Sequence, residues 1–143
     1  MKVRIKTSDG KLLNYETKRA CAFDFRCTED LIFEPGDFKL VETGTVVESP
    51  EGYYLQTQPR SSTFKKHGLM QTNSVGIIDP DYCGDNDTIK FPYINMSGKK
   101  QVIEAGTRIG QGIFIKYLHA ELEVVETMGD TKDRGGFGTT GIK

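Results

Sequence analysis

Hydrophobic and polar positions alternate in short runs along most of this chain. Val3 and Ile5 are interleaved with Lys2, Arg4 and Lys6, the two-residue period of a strand with one face buried, and Ser8-Asp9-Gly10 turns it. An edge-type strand is expected there. Ala20 to Phe25 sets small and aromatic residues around one carboxylate, Asp24. Leu31 to Pro35 stops at Pro-Gly, Lys39 to Glu48 is rich in Val and Thr, and Ser49-Pro50-Glu51-Gly52 has Pro and Gly where a turn wants them, so a hairpin-rich β domain is expected. Tyr53 to Gln58 alternates again until Pro59 stops it. Thr63 to His67 is long enough for about one helical turn before Gly68.

The second half continues in the same manner. Asn73 to Gly84 is an apolar run followed by Asp79-Pro80-Asp81-Tyr82, a buried strand delivering two carboxylates and a phenol into a tight turn. Thr88 to Asn95 predicts another strand, with Pro92 hinting at an edge or a bulge. Gln101 to Ala105 and the nearly all-apolar Arg108 to Lys116 follow, and Glu121 to Glu126 alternates Leu and Val with Glu. From Met128 onward there is almost nothing to bury, which predicts a mobile tail. No long 3.6-residue apolar period occurs, so an all-β barrel or sandwich is expected, with one short helix.

The 143 residues suffice for one hydrophobic core. Charged residues make up 27% with both signs interspersed and a net charge of −1, which leaves no basic stripe for nucleic acid. No apolar run is long enough to span a bilayer and none resembles a signal peptide, so neither nucleic acid nor membrane is an expected partner and a cytoplasmic location is. Cys21, Cys27 and Cys83 make no Cys-x-x-Cys pair and are read as free thiols, buried or bland. With only His67 and His119 available, a zinc site has poor support.

Three polar stretches carry candidate chemistry. Arg60-Ser61-Ser62 precedes the short helix, where hydroxyls usually cap, but where unpaired N–H groups and a cation also suit a phosphate. Asp79 and Tyr82 stand at the tip of the central apolar stretch, and the Gly-rich tail from Arg134 to Gly141 could either fray or wrap an anion. Together, Ala20 to Phe25, Pro59 to Ser62, Gly76 to Gly84, Gly106 to Gln111 and Arg134 to Gly141 resemble, in type, order and spacing, the five motifs of the trimeric deoxyuridine triphosphatases (dUTPases).

The resemblance implies a distorted jelly-roll-like β-barrel over residues 1–127 and a tail, 128–143, that closes over a neighbouring subunit's site. It implies hydrolysis of dUTP to dUMP and pyrophosphate, with Mg²⁺ as cofactor and a homotrimer with shared active sites. Asp79 would hold the attacking water as general base, Tyr82 would pack on the deoxyribose and exclude a 2′-hydroxyl, and backbone groups around Gly76 with the Asn73 amide would read uracil. Arg60, Ser61 and Ser62 would bind the triphosphate, Gln111 would reach the α-phosphate and the water, and Asp24 would hold magnesium through water. Phe137 would stack on uracil, while Gly138, Thr139 and Thr140 would wrap the γ-phosphate.

Three departures stand out. Ala22 replaces the usual Gly of the first motif, which demands a backbone that tolerates Cβ. Lys132 stands where the tail usually has Arg, with Arg134 just before Gly135, so either could be the tail cation. Asp85-Asn86-Asp87 lengthens the turn after the third motif and reads as a solvated turn. The rival of the same fold, a dCTP deaminase-type enzyme, needs a Glu general acid/base where this chain has Pro92, with no Glu from Ile89 to Asn95. A dUTPase-fold protein with an added protein-binding regulatory role is the reading from a different class.

Overall fold

The computed structural model describes residues 2–136. Eleven strands and one five-residue helix follow in the order β1 (Ile5–Thr7), β2 (Phe23–Arg26), β3 (Leu31–Phe33), β4 (Phe38–Glu42), β5 (Thr45–Val47), β6 (Tyr53–Gln58), α1 (Thr63–His67), β7 (Leu69–Gln71), β8 (Gly76–Ile78), β9 (Lys90–Asn95), β10 (Gln101–Ile103) and β11 (Arg108–Lys116). A four-stranded sheet, β2-β11-β6-β8, packs on a three-stranded one, β4-β9-β7, and the pairs β1-β5 and β3-β10 complete the all-β, jelly-roll-like body.

No two strands consecutive in sequence are paired among the described residues, so the expected hairpins are replaced by long-range antiparallel pairing. The turns form where Pro and Gly stand, with Gly36 at φ +81° and Gly52 at φ +76°. Each hands the next strand to a different partner instead of returning it alongside. β9 shows why Pro92 is tolerated in what is a central strand and not the expected edge. Its carbonyl accepts the Thr72 N–H at 2.9 Å. The N–H that Pro92 lacks would have met Thr72, just past the end of β7, so its loss removes one bond from the end of that ladder and none from its middle.

The core is aromatic. Phe25 and Phe91 lie 5.6 Å apart and Phe91 stacks on Tyr93 at 6.0 Å, all fully buried. Burial pushes the Tyr93 phenol up, so it stays protonated, and it donates to the Ile109 carbonyl at 2.6 Å. β11 runs directly over these rings. A Cβ at Gly110 would come within 2.1 Å of a Phe91 ring carbon, and one at Gly112 within 2.8 Å of Phe25. Only glycine lets the strand approach so closely.

The termini depart from the alternation pattern. Val3 and Ile5 are partly buried against the core, as expected, but Glu121–Glu126 forms no strand, and Leu122 and Val124 are almost wholly exposed. A period-two pattern needs a sheet edge to pair with, and none of this chain's own edges receives it. Among the described residues no helix is long and apolar enough to cross a membrane.

Gly110→Ala is expected to destabilise the fold by about 1–3 kcal/mol, the usual result of overpacking a filled core. Urea denaturation checks this, with an unchanged midpoint counting against the close approach.

Candidate active site

Asp24 on β2, Gln111 on β11 and Gln58 on β6 are directly opposite one another across three adjacent strands. Just before them β11 carries a bulge between Arg108 and Gly110. Arg108 pairs with Arg26 and Gln111 with Asp24, and since Arg26 and Asp24 share one face of β2, the bulge puts Arg108 and Gln111 on one face as well. Regular alternation would have sent residues three apart to opposite faces.

The result is a charge cluster around one carboxylate. Asp24 Oδ1 accepts from Arg60 Nε at 2.9 Å, and Oδ2 accepts from Arg108 Nη1 at 3.1 Å. Arg108 Nη1 also meets Glu16 Oε2 at 2.7 Å. Asp24 is the most enclosed member, with its side chain 10% exposed against 26% for Arg60 and 32% for Arg108. Arg60 itself is held by its backbone N–H, which donates to Thr63 Oγ1 at 3.1 Å. That bond closes the turn into α1, and Ser62, at the N-cap position, makes no side-chain capping bond. The Thr63 hydroxyl thus holds the turn ahead of the helix, no side-chain hydroxyl caps the helix itself, and those of Ser61 and Ser62 remain available to a ligand. Gln111 Nε2 donates to the Pro59 carbonyl at 3.1 Å, which anchors its amide beside Arg60. Sequence reasoning took in the stretch containing Arg108 without singling it out, and Glu16 carried no signal at all.

Asp79 and Tyr82 belong to a second group. β7 and β8 are not paired with each other, so the expected base-reading hairpin is a crossing between sheets, from β7 beside β9 to β8 beside β6. At its turn Ser74 adopts φ +59°, the one left-handed non-glycine among the described residues, and the Val75 N–H donates to the Asn73 carbonyl at 2.6 Å. Gly76 sits against Thr57, whose Oγ1 lies 2.1 Å from where a Cβ would be, so any side chain there would force β8 off β6. Beyond Ile78 the exposed Asp79 has no ion-pair or side-chain hydrogen-bond partner among the described residues. Tyr82 is 40% exposed and its hydroxyl donates to the Thr88 carbonyl at 3.3 Å, which tethers the ring edge and leaves a face open. Thr88 is held in turn by Glu42, which accepts its hydroxyl at 2.9 Å. Burial works against the Glu42 charge, but bonds from Gly44, Thr88 and Thr43, with Lys90 nearby, outweigh it and hold its carboxyl below the usual range. The Gly84–Asp87 turn closes on itself, the Gly84 N–H donating to Asp87 Oδ2 at 2.7 Å, as a solvated turn would.

One chain does not bring the two groups together. Ile78 pairs with Leu55, which sets Asp79 at the Tyr54 end of β6, whereas Arg60 follows its other end. From Tyr54 to Arg60 the strand rise amounts to about 20 Å. Lys132 and Arg134 are exposed and, among the described residues, pair with neither group, while Phe137, Gly138, Thr139 and Thr140 lie outside the described residues. Ala22 does not take a positive φ, so its methyl fits. The thiols are free, with Cys21 exposed, Cys27 buried and Cys83 between.

As for a metal, no group of three His, Cys, Asp or Glu is placed to hold one among the described residues. Both Asp24 oxygens already receive a guanidinium, which does not suit direct coordination. Each keeps a second acceptor site, so Asp24 fits a hydrated Mg²⁺ met through water.

Comparison with known proteins shows the family. A family model described as dUTPase matches residues 8–141. The deoxyuridine 5′-triphosphate nucleotidohydrolase of Nautilia profundicola is 40% identical over 144 residues, covering 99% of each chain. The dUTPase structure from Streptococcus mutans superposes with a TM-score of 0.75 at 32% identity, covering 82% of this chain and 98% of that one. The Staphylococcus bacteriophage 80alpha dUTPase, solved with dUPNHPP, superposes with a TM-score of 0.85 over 99% of each chain, and at 22% identity shares the fold.

Asp24→Ala leaves two guanidinium groups facing each other. It is expected to lower stability by about 1–2 kcal/mol, less than the loss for a fully buried pair because both arginines are partly solvated. Chemical denaturation reads this, and a variant as stable as the parent would show that the clamp contributes nothing.

Proposed function

Because the chain belongs to the dUTPase family, we propose that it hydrolyses dUTP to dUMP and pyrophosphate at sites built from more than one copy of itself, in a homotrimer. The observation that carries this reading is the division of the site along β6. An unpaired carboxylate and an open phenol ring stand at one end, and cations, hydroxyls and an anchored amide stand at the other. A nucleoside triphosphate has the same two halves, and a symmetric ring of subunits can set one chain's Asp79 against another's Arg60.

Asp79, acceptor-only when ionised, takes the proton of a water in line with the α-phosphorus and accepts a hydrogen bond from the sugar 3′-hydroxyl. The tethered ring of Tyr82 lies against the deoxyribose and leaves no room for a 2′-hydroxyl. Backbone groups at Gly76 and the amide of Asn73 read the base. Arg60 with the uncapped Ser61 and Ser62 binds triphosphate oxygens, and Gln111, anchored on Pro59, still has an N–H and its Oε1 for the α-phosphate and the water. Asp24 would hold a hydrated Mg²⁺ through water, and that ion when bound would supply positive charge to offset the leaving pyrophosphate. Lys132 or Arg134 supplies the tail cation, and Phe137 with Gly138, Thr139 and Thr140 closes over the nucleotide and excludes bulk water. The substrate belongs to the nucleotide pool, which with three free thiols suits a cytoplasmic setting. The dCTP deaminase alternative lacks its acid, since Pro92 in β9 cannot move a proton.

Purified protein given each deoxynucleoside triphosphate should release pyrophosphate from dUTP, and Asp79→Asn should still bind dUTP while turning over about 100-fold or more slowly. No dUTP turnover, or faster dCTP turnover with ammonia release, would refute the reading. Shared sites have their own test. Asp79→Asn and Arg60→Ala are each expected to be nearly inactive alone, whereas refolding them together should restore about a quarter of the sites, the chance of pairing two intact contributors. No recovery on mixing would place both residues in one chain's site.

A further inference from the structure

Gln71, the last residue of β7, is 5% exposed, and its polar end lies under the crossing that carries Asn73. Its Nε2 faces three oxygens: the Thr57 carbonyl at 3.5 Å, the Ser74 carbonyl at 3.5 Å and Asn73 Oδ1 at 2.9 Å. Its Oε1 is buried with no partner. Two of those three oxygens are backbone carbonyls, which can only accept. Turning the Gln71 amide over would set Oε1 beside both carbonyls with no hydrogen to offer either, which favours the NH₂ where it stands.

The orientation then passes outward by one residue. An NH₂ group fixed in the core can be met only by the oxygen of the Asn73 amide, so the Asn73 NH₂ must point away from the core, on the exposed side. The backbone beneath is held too, by the left-handed Ser74 and the short Val75-to-Asn73 bond. Asn73 therefore turns its donor outward and its oxygen toward Gln71, although a free asparagine could present either group.

We propose that Gln71 is a positioning residue that sets base choice: by holding Asn73 Oδ1 it leaves a donor facing the base, matched to the carbonyl O4 of uracil and opposed to the amino group at N4 of cytosine. This deepens the deoxyuridine reading given above and rests on it. The two bases differ at this edge in donor and acceptor and hardly in size. A site that holds its amide in one orientation rejects the wrong partner by leaving two donors face to face.

Gln71→Met keeps the length of the side chain, removes the orphaned Oε1 and frees Asn73 to turn. Melting temperature should hold. The ratio of kcat/KM for dUTP over dCTP should fall about tenfold, through KM for dUTP more than kcat, as expected for one lost hydrogen-bond preference. In an Asn73→Ala background the same substitution should leave the ratio unmoved, because Gln71 acts only through Asn73. A purely packing role would lower the melting temperature and leave the ratio alone. An unchanged ratio in folded Gln71→Met, or an equal fall in the Asn73→Ala background, overturns the proposal. Calorimetric affinities for dUDP and dCDP separate this from the reading of activity. If the parent does not turn over dUTP, the activity fails, while the binding ratio still reads Gln71. A parent with no preference for dUDP overturns the Gln71 proposal as well.

Discussion

The contact between β11 and the aromatic core governs the rest of this structure. Gly110 and Gly112 leave room for the rings of Phe91 and Phe25, and Tyr93 ties its hydroxyl to the backbone of Ile109 from below. β11 is thereby held against the core at the level where it bears Gln111. Its flanking strands supply Asp24 on one side and Gln58, leading to Pro59 and Arg60, on the other. The charged cluster thus inherits its position from a dry, filled interior, in which a displacement of even one methylene is resisted.

On that base the electrostatics follow simply. Asp24 lies between two guanidinium groups and, with Glu16 on Arg108, offsets their charge. An incoming polyanion meets cations already oriented by their carboxylate, so little is lost in ordering them. In the proposed reading the other half of the site works by shape. Tyr82, tethered through Thr88 to Glu42, and Gly76, pressed on Thr57, set a surface on which a sugar and a base can lie. The proposed trimer brings these unlike halves together across a boundary between chains. Catalysis then depends on assembly as well as on folding.

Several parts of this were legible in the chain itself. Alternation at Tyr53 to Gln58, the stop at Pro59 and Gly68 after a single helical turn all appear where local preference puts them, because each depends on near neighbours. Pairing was not legible in that way. Pro35-Gly36 and Pro50 to Gly52 do make turns, but whether a turn returns a strand to its neighbour depends on which faces need burial, and here every strand finds a distant partner. Glu121–Glu126 has the period of a strand and no edge within this chain to join, so it stays extended and exposed.

The sequence by itself determined the chemistry on offer: Asp79, Tyr82, Arg60-Ser61-Ser62 and Gln111, in an order and spacing that mark the dUTPase family, on an all-β chain with one core. These follow from residue identity and local period. Only the tertiary structure decided how they are aimed. The bulge that turns Arg108 and Gln111 to one face, the clamp on Asp24 and the burial of Gln71 beside the Thr57 carbonyl all join residues far apart in the chain or break its regular period. Such features are settled by packing and hydrogen-bond satisfaction in three dimensions, which no local pattern encodes.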